Sequence, residues 1–298
     1  MRRLALCALL AAPAALGLAG CDAAGFDDFE EEVAVSALLV AGRPLPPVHL
    51  ALTGPLDEPY DPVERAVEGA EVTVSLLAPD GTVEAAYVYA DSLLGRYVYP
   101  DTTVLVQPER RYRLEVAAPG FAEAITAETT VPRAFEVVRP PPPSVVFQQG
   151  DSPTLDVSPS GVGGAPAVYV FTITSLAPSV EALTPFAADL YFEREVELED
   201  LVSTSSPLIN EENYEVNADG TLRIEVPWFG FNFFGPSEVT LTALDEPLAT
   251  FLEFQAIQFV PTTISPGEIP NVPTNVRNGV GIFASAAQAT AFLTVERP

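Results

Sequence analysis

Thirty prolines are spread through 298 residues, and their spacing leaves few stretches in which a long helix can run uninterrupted. An interior proline costs a helix about 3 kcal/mol, because it removes a backbone donor and crowds the preceding turn. Strands, turns and loops must therefore dominate. The chain is 48% hydrophobic with a mean hydropathy of +0.24, enough apolar surface to close a core despite a formal net charge of -27. Its length is best divided into two ordinary domains.

The pattern from residue 33 to 132 repeats with a period of two. Val33 to Val40 and Val48 to Leu52 read as strands, and Glu71 to Leu77 and Val83 to Tyr89 flank the Asp80-Gly81 pair of a hairpin. Arg96 to Tyr99, Tyr112 to Val116 and Ala122 to Val131 complete about seven short strands, the spacing of a β-sandwich. Such a unit is expected to close its core without later residues. Arg139 to Pro143 must be extended and stiff; together with the Gly/Pro-rich stretch near Gly161 it predicts a linker over 133–166. Residues 167–298 read as a β-rich C-terminal domain with one helix, capped by Asp245, carrying Leu248, Phe251, Leu252 and Ile257 at helical spacing and ended by Pro261. The fold class is mainly β.

All 14 basic residues are arginine, against 41 acidic residues. That balance repels phosphate, so nucleic acid is excluded as a partner class. The missing lysine fits either a GC-rich genome or a saline habitat.

Residues 1–20 read as a signal peptide, with Arg2 and Arg3 before an apolar run too short and proline-broken to span a membrane. Leu18-Ala19-Gly20-Cys21 resembles the lipobox of bacterial lipoproteins. The resemblance implies that Cys21 becomes the acylated first residue, carrying a diacylglycerol and palmitate-type chains. Cleavage would remove Cys7 and leave no partner for an intrachain disulfide. Residues 21–32 form an acidic tether, read either as a solvated spacer or as a surface-export signal. Asp22 also resembles an inner-membrane retention residue, so the leaflet stays open.

Val67-Glu68-Gly69-Ala70, the Asp80-Gly81 hairpin, Gly95-Arg96-Tyr97 and Tyr112 to Val116 are similar to the transthyretin-like or carboxypeptidase-regulatory-like sandwich module. Pro273-Thr274-Asn275-Val276-Arg277-Asn278-Gly279-Val280-Gly281-Ile282-Phe283 resembles the closing motif of the domain of unknown function 4249 family, lipoproteins of Gram-negative envelopes. The resemblance implies an outer-membrane location and a TonB-dependent transporter as partner. It implies no activity.

Side-chain chemistry points the same way. A serine or cysteine nucleophile normally needs a base, and the one histidine, His49, lies in a strand-like run. One histidine and one acylated cysteine cannot make a zinc site, and no cofactor is expected. Glu193, Glu195, Glu197 and Glu199 alternate so that an extended segment would align four acids on one face, read as a solvated face with calcium binding as the alternative. Glu215 to Gly220 resembles the opening of a calcium loop, but Val226 stands where a bidentate acid is needed. The strongest candidate site is the run Trp228, Phe229, Phe231, Phe233 and Phe234, a patch for a glycan, peptide or protein partner with at least two accessible rings. The functional expectation is a lipid-anchored, non-enzymatic binding or assembly accessory. A structural or adhesive surface module and a carboxylate-dependent glycan hydrolase are the alternatives.

Overall fold

The structure, a computed structural model, describes residues 29–55, 58–161, 166–258 and 273–298. The leader and Cys21 lie outside the described residues. Seven strands occupy the first part of the chain: β1 Val33–Val40, β2 Val48–Leu52, β3 Glu71–Leu77, β4 Val83–Asp91, β5 Arg96–Val98, β6 Arg111–Ala117 and β7 Ile125–Thr130. They follow the alternation in the sequence closely. At the β3–β4 hairpin Gly81 takes the left-handed conformation (φ +86), and the Asp80 carboxylate accepts from the Thr82 N–H at 3.0 Å. This is the local chemistry that Asp-Gly turns use.

The order β1-β2-β5 makes one layer and β4-β3-β6-β7 the other. β4 turns the corner, bonding β3 along most of its length and β5 at its end, where Ala90 pairs with Val98 and Asp91 with Tyr97. Alternate residues of the two layers, among them Val35, Leu39, Val74 and Leu114, meet in one buried core. Tyr97 is fully buried there; its hydroxyl donates to the Val67 carbonyl and accepts from the Ala70 N–H, both at 2.9 Å.

The rest of the chain adds β8 Val137–Arg139, β9 Ser144–Val146, β10 Thr154–Val157, β11 Val168–Ser175, β12 Ser203–Ser205, β13 Ile209–Asn210, β14 Glu215–Val216, β15 Leu222–Glu225, β16 Gly235–Leu244, β17 Val276–Arg277 and β18 Val280–Glu296. The small sheet β14-β15-β10-β8 packs on the strands β11, β16 and β18. Leu155, Val157, Leu222 and Ile224 from the one interdigitate with Tyr169, Phe171, Leu241 and Leu293 from the other in a second core. Among the described residues three α-helices accompany them: α1 Pro185–Glu193, α2 Leu198–Leu201 and α3 Glu246–Gln258. The expected helix is α3, and its cap is Asp245, whose Oδ1 accepts from the Leu248 N–H at 2.9 Å.

Two expected boundaries are redrawn. Residues 133–166 are not a spacer. They supply β8, β9 and β10 and bury Phe135, Phe147, Leu155 and Val157 in the second core. Pro140 to Pro143 fill the short crossing from β8 to β9, and both strands lie at sheet margins, where a missing donor is tolerated. Nor does the C-terminal strand stay within the second unit. β18 runs 17 residues; its first part pairs parallel with β1, from Ala34 with Val280 to Val40 with Ala286. Its second part pairs antiparallel with β16, from Leu244 with Ala286 to Gly235 with Val295. Phe283 and Val276 belong to the first core, and Ala287, Ala289, Leu293 and Val295 to the second. The chain is thus two sandwiches stitched by one strand.

The stitch explains the closing motif. Asn275 Nδ2 donates to the carbonyls of Glu128 (2.9 Å) and Phe283 (2.7 Å), its Oδ1 accepts from the Phe283 N–H (3.1 Å), and Asn278 Nδ2 donates to the Ala124 carbonyl (2.9 Å). Gly281 has φ +101, and a Cβ there would stand 2.1 Å from the Val35 carbonyl oxygen. Gly281→Ala is therefore expected to destabilise the protein by about 2 kcal/mol or more, read by urea unfolding. A chain of residues 33–131 alone, lacking β18, is expected to lose the cooperative transition of the full protein. A sharp transition of that fragment would restore the independent sandwich.

Candidate functional site

The aromatic run is built by a tight turn. Pro227 leads into a 3-10 turn over Trp228–Gly230, pressed so closely on β11 that a Cβ on Gly230 would meet Ile173 Cδ1 at 2.6 Å. The chain then pairs with residues 182–184: the Phe234 N–H donates to the Ala182 carbonyl (2.7 Å) and the Thr184 N–H to the Asn232 carbonyl (2.9 Å). Phe231 and Phe234 enter the second core, and Phe233 enters a smaller cluster with Leu183, Ala187 and Leu201 beneath α1 and α2. Trp228 is half-buried, edge-on to Phe147 at 5.6 Å between centroids, and Phe234 meets Phe147 at 5.5 Å. Only Phe229 is open to solvent, at 65%. The expectation of an accessible aromatic patch is corrected: the run is mainly core, because pairing with 182–184 turns three of its rings into apolar clusters.

The acidic candidates are also redistributed. Glu193 ends α1, Glu195 sits at φ +54, Glu197 stands before α2 without a side-chain capping bond and Glu199 lies in its first turn. They form no extended stripe, since helices replace the strand that alternation suggested, and Glu199 and Asp200 suit the positive end of α2. Asn217 to Gly220 is the β14–β15 turn, with the Asn217 N–H bonded to the Thr221 carbonyl at 2.8 Å. His49 is exposed on β2, between Ser36 of β1 and Arg96 of β5 in register. Among the described residues no group of three His, Cys, Asp or Glu side chains is arranged to hold a metal.

Of two buried carboxylates, Asp156 escaped the sequence reading and Asp245 was legible there only as the cap of α3. Asp156 on β10 is 3% exposed and is clasped by Arg223 Nε at 3.0 Å and by Arg139 Nε. Arg139 also reaches Asp219 and the Thr221 hydroxyl, both at 2.8 Å. The Arg223 contact, and then that of Arg139, holds the Asp156 carboxyl below its usual range, and Arg139 does the same to Asp219. The ion cluster ties β8, β10 and β15 together across the small sheet.

Asp245 occupies the seam between the two cores, 6% exposed. Its Oδ2 accepts from the Ser285 N–H at 2.9 Å, the Ser285 hydroxyl at 3.2 Å and the Thr129 hydroxyl, while Thr129 and Ser285 lie 2.6 Å apart. Burial pushes the carboxyl above its usual range, against the pull of these donors. One side chain thus caps α3 and joins β7 to the middle of β18. On the outer face of β6, β7 and β17 lies a polar depression of about 410 Å³, lined by Arg113, Glu115, Glu128, Asn275 and Arg277. Arg113 is already paired with Glu128 at 2.8 Å.

Paired antiparallel layers around two cores, closed by a shared C-terminal strand, define a tandem β-sandwich protein. The chain belongs to the domain of unknown function family DUF4249, whose profile matches residues 23–291. No curated protein sequence matches it. Among solved structures it is similar to the tetra-tandem repeat in the extending region of a large adhesion protein, at 13% identity and TM-score 0.22, over 89% of this chain and 49% of that one. It is similar to trypsin-activated alpha-2-macroglobulin from Escherichia coli, at 12% and 0.22, over 73% and 14%. The FN1-FN3 domains of chicken CNTN1 match at 12% and 0.21, over 71% and 60%. The chain spans about half the length of the first and a seventh of the second. The fold assignment rests on the strand pairing and not on these weak likenesses.

Phe231→Ala is expected to cost about 3–5 kcal/mol as an emptied aromatic core site, and Phe229→Ser less than about 0.5 kcal/mol, both measured by urea unfolding. Asp245→Ala removes a cap and orphans the Ser285 and Thr129 donors, a loss of about 2–4 kcal/mol. A carboxyl whose folded pKa is raised contributes most below its unfolded pKa of about 3.9 and loses that contribution as pH rises through the folded value. The gap between the native protein and the variant should therefore be wider near pH 4 than at pH 7. A gap that widens towards pH 7 would contradict the assignment.

Proposed function

We propose that the protein is a lipid-anchored, non-enzymatic accessory of the outer membrane that binds or assembles with a TonB-dependent transporter. The observation that carries the reading is the mounting of the N-terminus. The tether enters β1 directly, and β1 is an interior strand held between β2 and β18. Through β18 the strand that follows the tether is hydrogen-bonded to a partner lying in both cores. Such a mounting suits a body presented to partners from a membrane.

The chemistry of the described side chains supports the same reading. The most buried acids, Asp156 and Asp245, are spent on ion pairing and capping, and the aromatic run on packing. The lipobox-like Leu18 to Cys21 adds the cell-envelope context.

Cys21→Ser is expected to leave an unprocessed precursor or to release the protein from membranes, scored by metabolic lipid labelling and fractionation. Purification of the lipidated protein from membranes should bring down a transporter subunit. Recovery of a lone adhesive monomer would favour the surface-module alternative, and turnover of envelope or dietary polymers the hydrolase.

A further inference from the structure

The strand directions place several loops at one end of the first sandwich. β1 starts there, β2 and β4 finish there, and β5 and β18 start there. Named bonds join the segments. The Thr53 N–H donates to the Glu32 carbonyl (2.9 Å), the Leu52 N–H to the Arg65 carbonyl (2.7 Å) and the Leu50 N–H to the Gly95 carbonyl (2.8 Å). Arg65 reaches Glu31 at 2.9 Å and Glu58 at 3.0 Å. The tether therefore enters the fold at the same end as the 53–66 and 92–95 loops.

This end carries large apolar side chains in water. Leu93 is 74% exposed and Leu94 58%, with Tyr60 and Val63 each at 60% in the neighbouring loop. The leucines take left-handed backbone conformations, φ 79 and φ 54, followed by Gly95 at φ 68. Leucine is disfavoured there and glycine or asparagine is the ordinary choice. The turn is nevertheless held firmly: Asp91 accepts from the Leu93 N–H at 3.0 Å and from the Gly69 N–H at 2.9 Å. The fold thus tolerates local strain and holds two leucines outward, where packing gives them no role.

We infer that this end of the first sandwich is a bilayer-contacting face, with Leu93 and Leu94 seated in the headgroup and upper acyl region of the membrane to which Cys21 is attached. The inference rests on the acylation of Cys21 proposed above. Phe29 lies eight positions after Cys21, so even full extension keeps this end within about 28 Å of the lipid surface. A random-coil segment of eight residues averages about 16 Å from end to end. The face meets lipid at high effective concentration, and weak apolar contact is enough to orient it. Glu58, Asp61, Glu64 and Glu68 lie in or beside the same loops, which selects zwitterionic over anionic headgroups. The second sandwich, extended along β18, then points away from the bilayer.

The test uses the full lipidated protein in phosphatidylcholine vesicles containing a headgroup-attached nitroxide quencher. With Cys7 removed and Cys21 acylated, Leu93→Cys supplies a single thiol for a fluorophore, and Phe292→Cys, exposed and roughly 40 Å further along β18, serves as control. The probe at 93 is expected to lose about half its fluorescence, as a group seated 5–10 Å deep would, and the probe at 292 to lose little. Unchanged thermal midpoints establish that both variants fold. Acylated protein in which both probes stay unquenched overturns this inference alone. Shielding of position 93 in native membranes but not in pure lipid assigns the face to a protein and also overturns it. Loss of acylation at Cys21 overturns the anchoring reading and this one together.

Discussion

The parallel ladder between β1 and β18 is the constraint on which the rest of the molecule depends. Seven residue pairs, from Ala34 with Val280 to Val40 with Ala286, bring the two ends of the chain into one sheet. Parallel neighbours need a long crossover, and here the crossover is almost the whole protein. The ladder supplies β1 with its second neighbour, completes the first core with Phe283 and hands β18 on to β16. Its close backbone approach needs glycine at 281, where any side chain would strike the Val35 carbonyl.

A strand that leaves one core for another has a stretch between them that neither core fills. β18 crosses that stretch from Phe283 to Ala287, buried throughout. Ser285 falls at the midpoint, and Thr129 and Asp245 come to meet it. A buried polar group is costly unless it is bonded, and this one is bonded by an acid that also caps α3. The polar seam fixes where β18 changes partners, because sliding by one residue would turn Ser285 away from Asp245 and invert every side chain of the strand. The Arg139, Asp156 and Arg223 cluster has a similar role in the small sheet, where β8 is only three residues long and largely exposed.

The two apolar features of the chain end differently. The aromatic run, which in the sequence is the most conspicuous candidate for recognition, is consumed by packing, leaving Phe229 outside. Leu93 and Leu94, inconspicuous in the sequence between a serine and a glycine, stand out in the structure on left-handed backbone. The difference lies in neighbours: residues 231–234 find a backbone partner at 182–184, whereas Leu93 and Leu94 stay exposed in the turn between β4 and β5.

The sequence by itself determined what local physics controls. Proline content excluded a helical fold, period-two alternation located the seven strands of the first sandwich, Asp80-Gly81 set its hairpin, and Asp245 marked the start of α3. Only the tertiary structure decided which strand closes which core. The pairing of Val280 to Ala286 with β1 joins residues more than 240 positions apart, and alternation carries no information about a strand's partner. Burial was undecided for the same reason. Phe135 and Phe147 in a proline-rich stretch, Asp156 between two arginines and the rings of 231–234 look alike in sequence whether solvated or enclosed. Their surroundings arrive from residues distant along the chain, and packing against those surroundings settled their roles.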